Sequence, residues 1–318
     1  MTAKFGFLNE PIKMEFGNIF ITPLPDYDRN KQYIENQTHM DGFIYPPICE
    51  RSSCDAVNEE ICSRIPKTKR TALYFPLLPS HSIEDSGLSG KHEVFHSSEF
   101  LIIQLLAYMY GVRLQFQGWS FDGRVPQRQQ NNIRFKYGDC QKFIKHVLDW
   151  WENLEADQGE KFLNILYAYN RAKCIELDWD AFLNQYMVLD AIDNLHASLN
   201  KIKVRPPHKE RLKLLLCEYE IASGSSIPND KIPDIRKCEP EGMKKAIQDK
   251  IVNARNNLIH EAIWCGMPPG ADVDHDQLAG HLCRINSRII CAITGCKNEY
   301  TKSNWSNDFA QLFEFPVN

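Results

Sequence analysis

The spacing of apolar residues changes character near residue 139. Before it, apolar residues come in short β-type runs, such as 17–22 and 71–75, separated by stretches rich in proline, serine and polar side chains, so strands broken by long loops are expected. Residues 26–66 are the most polar and irregular of these stretches. One segment stands apart: over 99–110, Phe100, Leu101, Ile102, Ile103, Leu105, Leu106, Ala107 and Met109 are nearly continuous. A membrane span needs roughly 20 such residues, and this run ends at Gly111, so a buried core helix is predicted, with Ser97 or Ser98 as its N-cap and a strand over 113–116 following. The Gln/Asn-rich stretch around Arg124, Arg128 and Arg134 reads as a long loop, its arginines solvated or free to meet phosphate.

After residue 139 the period becomes helical. Phe143, Val147, Leu148 and Trp151 mark one helix, Phe162, Ile165, Leu166 and Tyr169 a second, and Val188, Ile192, Leu195 and Leu199 the inner stripe of a third over 179–199. Asp193 flanks that stripe, and an acid so close to an apolar face needs a partner. Residues 212–222 resume a helix. A closing helix over 277–294 carries Leu278, Leu282, Ile285 and Ile289 on one side. The fold expected is therefore α+β overall: a β-containing α+β domain of unknown type over 1–138 and an all-α helical bundle over 139–318.

The stretch with the most chemistry is Arg255-Asn256-Asn257-Leu258-Ile259-His260. Pro240 before it and Gly266 and Pro268 after it bracket a helix of ordinary length. Ile247, Ile251, Ala254, Leu258 and Ala262 fall on one side, whereas Asp249, Asn253, Asn256 and His260 line the other. Amides and a histidine in place of a Lys/Glu mixture suggest a face that meets something. Five α-helical positions turn through roughly 140°, so only a long arginine side chain could bring Arg255 and His260 to one phosphate.

Composition narrows the classes. The chain has 318 residues, enough for two domains, with 43% hydrophobic and 25% charged residues. Those are ordinary globular values. A net charge of −4 excludes a protein that coats nucleic acid electrostatically, leaving local basic patches as the route to RNA. The richest is Lys201, Lys203, Arg205, Lys209 and Arg211 with Lys213, broken at Pro206-Pro207; it steers phosphate or serves as a solvated connection between helices. The first residues lack the apolar run of a signal peptide, and the 11 scattered cysteines fit a reducing cytoplasm. No membrane association is expected.

Two metal readings need weighing. His92-Glu93-Val94-Phe95-His96 matches the His-Glu-x-x-His pattern of zinc hydrolases, whose chemistry requires both imidazoles one turn apart on a helix. Here the helix is predicted to start after the motif, and no third ligand follows at the usual spacings. His39, Cys49, Cys54 and Cys62 are too loosely spaced for a structural zinc site. No metal and no cofactor are expected.

The hexapeptide resembles the Arg-x4-His signature, in its Arg-Asn-x-x-x-His form, of the HEPN family of helical-bundle proteins. The resemblance covers only the C-terminal part, and the same three residues also occur as plain surface residues or interhelical hydrogen-bond clusters. It implies a metal-independent endoribonuclease, assembled from two copies of the motif across a homodimer and often serving toxin or phage-defence systems. His260 would then move the proton, Arg255 neutralise the phosphorane and Asn256 orient phosphate or imidazole. An acid from a neighbouring helix supports the arginine in such bundles, which points to Asp193 or, failing it, Asp190. RNA is the implied partner, with room for an antitoxin or other regulator; the tyrosine modified in some toxins is Ala262 here, so that form of regulation is not supported. The same fold without turnover, binding RNA or a protein partner, is the alternative.

Overall fold

The computed structural model of the chain describes residues 2–44, 78–85, 97–116, 125–127, 139–175, 177–221, 242–261, 264, 269, 278–296 and 299–302. The chain is mixed α+β and divides into two compact units, Met1–Gln130 and Asn131–Asn318.

The first unit is built on an antiparallel sheet. Its strands are β1 (Thr2–Gly6), β2 (Met14–Phe16), β3 (Ile19–Pro23), β5 (His81–Asp85) and β6 (Gln115–Phe116), in the order β2-β3-β5-β1-β6. Short β4 (Phe43–Ile44) and β7 (Val125–Pro126) pair separately. Alternation decides which face of β3 is inside: Ile19 and Ile21 are buried while Phe20 between them is exposed. Gly17, at φ +60°, opens the two-residue turn joining β2 to β3, where a left-handed first position suits glycine. Gly6 is required for a different reason. A Cβ there would lie 2.5 Å from the Leu78 carbonyl oxygen, with no side chain able to yield.

Helix α1 (Tyr27–Gln37) falls in the stretch expected to be irregular. Its buried stripe is only Tyr27, Asn30 and Ile34, too narrow to show through the surrounding polar sequence. Tertiary contacts complete it: Tyr27 stacks on Phe7 at 5.8 Å between ring centroids, and Asn30 Nδ2 donates to the Pro79 carbonyl at 2.9 Å. Helix α2 (Ser98–Tyr110) follows its sequence expectation closely. Ser97 Oγ accepts from the Phe100 backbone N–H at 3.2 Å, Gly111 ends the helix at φ +63°, and every residue from Phe100 to Met109 is buried.

The second unit contains α3 (Asp139–Glu152), α4 (Ala156–Ala172), α5 (Asp178–Leu199), α6 (His208–Glu218), α7 (Gly242–Asn256), α8 (Leu278–Ile293) and short α9 (Glu299–Lys302). Helix α5 packs against both α4 and α8. Most of the expected apolar positions are inside: Phe143, Val147, Leu148, Phe162, Ile165, Leu166, Tyr169, Val188, Ile192 and Leu195 are buried, whereas Trp151 and Leu199, at the ends of their helices, are only partly so. Helix α8 departs from its predicted one-sided pattern. Arg284, Asn286, Ser287 and Arg288 are buried along with its apolar residues: Arg284 lies 2.8 Å from His281 Nδ1 and Arg288 donates to the Arg284 carbonyl within the helix, while polar partners reach Asn286 and Ser287 from other helices. Asn286 Nδ2 donates to the Gln185 carbonyl at 2.8 Å and to Gln185 Oε1 at 2.9 Å, and Ser287 Oγ lies 2.6 Å from the Tyr300 hydroxyl.

Two helix ends could not be read from residue type. Helices α5 and α6 close with Lys201 (φ +53°) and Glu220 (φ +56°) in the left-handed region. In each case the next residue's N–H reaches back to satisfy a terminal carbonyl, Ile202 to Ala197 at 2.9 Å and Ile221 to Leu216 at 2.8 Å. Helix α6 accordingly runs about one turn earlier than predicted at both ends, starting directly after Pro206-Pro207. Among the described residues, no helix is long and apolar enough to cross a membrane.

Candidate functional site

The motif lies where α7 changes its winding. The α-helix Gly242–Asn256 passes directly into a π turn, Asn257–Glu261. A π turn closes its hydrogen bonds between residues five apart and so turns less per residue than an α-helix; with Asn257–Glu261 wound this way, His260 lies less far around from Arg255, which sits just before the turn. That geometry answers the angular difficulty posed by five α-helical steps. Arg255 Nη1 reaches His260 Nε2 at 3.4 Å and donates to Asn256 Oδ1 at 3.0 Å. A guanidinium only donates, so in this contact Nε2 serves as the acceptor.

The amphipathic division of the segment is present where side chains are described. Ile251 and Leu258 are buried, whereas Asp249, Asn253, Asn256 and His260 are exposed. Asn257, Ile259 and Glu261 are exposed as well, so the π turn puts most of its length in solvent. Arg255 bridges the two environments. Its side chain is half-buried, and among the described residues its Nε has no hydrogen-bond partner. Its guanidinium carbon sits 5.7 Å from the centre of the Tyr186 ring on α5.

The acids expected to support the arginine have different partners. Asp193 is buried and forms an ion pair with Arg205; Arg211 Nε lies 3.6 Å from the same carboxylate oxygen, Oδ2. Asp190 pairs with Arg211 Nη1 at 3.5 Å. Among the described residues Arg255 has no carboxylate in salt-bridge range. The physical reason is proximity: the connection from α5 to α6 folds Arg205 and Arg211 back onto α5. A carboxylate held in so little water is satisfied by the nearest charged donors.

The basic segment is thus divided. Arg205 and Arg211 are half-buried and face Asp193 and Asp190, and Arg205 also donates to Asn194 Oδ1. Lys201 and Lys203 are exposed. Lys209 belongs to α6, but its side chain lies outside the described set. Also outside it are His92, Glu93, His96, Cys49, Cys54, Cys62, Arg124, Arg128, Arg134, Ala262 and the strand expected over 71–75. Ser97 caps α2 immediately after His96, so that helix begins beyond the His-Glu-x-x-His stretch. Among the described residues no cluster of three His, Cys, Asp or Glu side chains is placed to hold a metal ion.

Sequence reasoning missed the aromatic neighbours. Phe182 and Tyr186 sit one turn apart on α5; Trp264 packs on Phe182 at 4.9 Å, and Arg255 on Tyr186. Burial pushes the Tyr186 hydroxyl pKa up, helped by Asp190 and opposed by Arg255 and Arg211. The i, i+4 spacing of two aromatics was visible, but nothing in it named the element they would meet. No family model, no curated protein and no solved structure matches the chain.

Proposed function

We propose that the C-terminal unit is a HEPN-like bundle acting as a metal-independent endoribonuclease. The observation that supports this most is the 3.4 Å approach of Arg255 Nη1 to His260 Nε2 on a solvent-exposed π turn. It joins a fixed positive charge to a group able to take and return a proton at neutral pH, the pair that transesterification at phosphorus requires.

In this mechanism the RNA 2′-hydroxyl attacks the adjacent phosphorus. A phosphate oxygen replaces Nε2 as the acceptor for Arg255 Nη1, which frees the imidazole lone pair to receive the hydroxyl proton. Arg255 then stabilises the charge that builds on the equatorial oxygens, and Asn256, already bonded to the guanidinium, holds its orientation. One motif supplies one histidine. Separate acid and base roles therefore call for a second copy, so the working form is a homodimer with the motif faces turned towards each other. Ile259, exposed beside His260, fits such an interface.

A second reading, a partner-binding module without turnover, is favoured by the pairing of Arg205 and Arg211 with acids, which removes two cations from the RNA-facing charge. One experiment separates the two. Purified protein is incubated with total RNA in EDTA, beside His260→Ala. Metal-resistant cleavage lost in the variant is expected; RNA binding without cleavage in the wild type selects the module. Sedimentation at micromolar concentration should show a dimer, and active monomer would count against the shared site.

A further inference from the structure

Arg255 is the hinge of the candidate site, yet it has no ion-pair partner among the described residues. Its hydrogen-bond acceptors, Asn256 and His260, belong to the same exposed segment and cannot anchor it to the rest of the fold. Among the described residues, a contact that does leave the segment is the one to the Tyr186 ring, 5.7 Å from the guanidinium carbon. Tyr186 is buried on α5, and one turn earlier Phe182 holds Trp264. Arg255 precedes the π turn and Trp264 follows it, so two neighbouring rings on one helix grip the motif segment on both sides of its irregular turn.

We propose that Tyr186 is the positioning residue of the motif: its ring face sets where the Arg255 guanidinium lies and, through Nη1, how the His260 imidazole is turned. The ring face does this and not the hydroxyl, because a cation is attracted to the π surface whether or not the ring carries oxygen. The hydroxyl itself stays protonated at neutral pH, since burial raises its pKa. The effect on cleavage rests on the nuclease reading. The geometric part does not.

The test therefore has two arms, on the full chain, with Tyr186→Phe, Tyr186→Leu and Phe162→Leu. Phe162 is a buried ring of α4 packed on Trp150, and its loss controls for lowered stability. In nitrogen-15 arginine side-chain NMR, assigned with Arg255→Lys, the Arg255 Nε–H proton is expected at a ring-shifted frequency in the wild type and in Tyr186→Phe, but displaced in Tyr186→Leu. In RNA cleavage with EDTA, Tyr186→Leu should lose about tenfold in kcat with KM nearly unchanged, the scale of one cation–π contact, while Tyr186→Phe and Phe162→Leu cleave like wild type. If the leucine variant does not fold, Tyr186→Met fills the space without a π face and carries the same expectation. The proposal is overturned by an unmoved Arg255 signal in Tyr186→Leu or Tyr186→Met, by full cleavage in either, or by a phenylalanine variant as impaired as leucine. A wild type that cleaves nothing removes the nuclease reading, while the NMR arm still decides the role of Tyr186.

Discussion

Two histidines show how differently the two units treat a polar ring. His81, on β5, is completely buried, stacked on Phe5 at 5.6 Å and edge-on to Tyr27 at 5.6 Å. Its Nδ1 lies 2.8 Å from Ser80 Oγ, which accepts from the Leu8 N–H at 2.9 Å, and among the described residues its Nε2 makes no hydrogen bond of normal geometry, although the Glu10 backbone is close enough to act on the ring. Burial pushes its pKa down to about 4. His260 stands on an exposed π turn with one long contact to an arginine. A ring locked in apolar surroundings is held neutral and serves packing. One at the surface, beside a fixed positive charge, has water or substrate within reach of its proton. Reactivity follows exposure and neighbours, not residue type.

The comparison breaks first, and by the largest margin, at His260. His260→Gln keeps hydrogen bonding but cannot cycle a proton, so cleavage in EDTA should fall by roughly 10² or more, with a melting temperature close to wild type because the side chain is exposed. Wild-type cleavage by this variant would sink the assignment. Arg255→Lys keeps charge but loses the planar fork, and the expected signature is a large drop in cleavage with a smaller drop in RNA binding, read by filter binding on the same preparations.

His81 predicts a pH effect of opposite kind. Its folded pKa is depressed below the unfolded value near 6.5, so the unfolded state binds more protons between the two. Stability is therefore fully present above about pH 6.5 and is lost as pH falls towards 4, by about 3 kcal/mol in all. Urea unfolding followed across that range should show the loss, and His81→Phe should remove the part due to this ring. An unchanged slope in the variant would place the acid sensitivity elsewhere.

Smaller effects sharpen the contrast between buried and exposed polar groups. Asn286→Ala leaves the buried Gln185 groups short of a donor and should cost about 1–3 kcal/mol by denaturant unfolding. Lys201→Gly relieves a left-handed conformation at the end of α5 and should stabilise by about 1 kcal/mol. A destabilised glycine variant would show that the lysine side chain, exposed as it is, contributes more than its backbone strain costs.

What was legible in the sequence was whatever local periodicity or a special residue enforces. Helix α2 with Ser97 and Gly111 at its ends, the inner stripes of α3, α4 and α5, and the buried Ile251 and Leu258 opposite exposed Asn256 and His260 all follow from burial repeating at the helical period and from caps that particular side chains supply. Helix α1 was hidden because three buried residues among polar ones make too faint a stripe. The tertiary structure alone decided the rest. Asp193 was expected beside Arg255 and instead faces Arg205 and Arg211, because charged groups pair with whichever partner the chain brings nearest once water is excluded. The π turn that draws His260 back to Arg255, and the Tyr186 ring beneath the guanidinium, likewise depend on how α7 meets its neighbours. Periodicity along one helix says which side is inside; it carries no term for the side chains on the helix opposite.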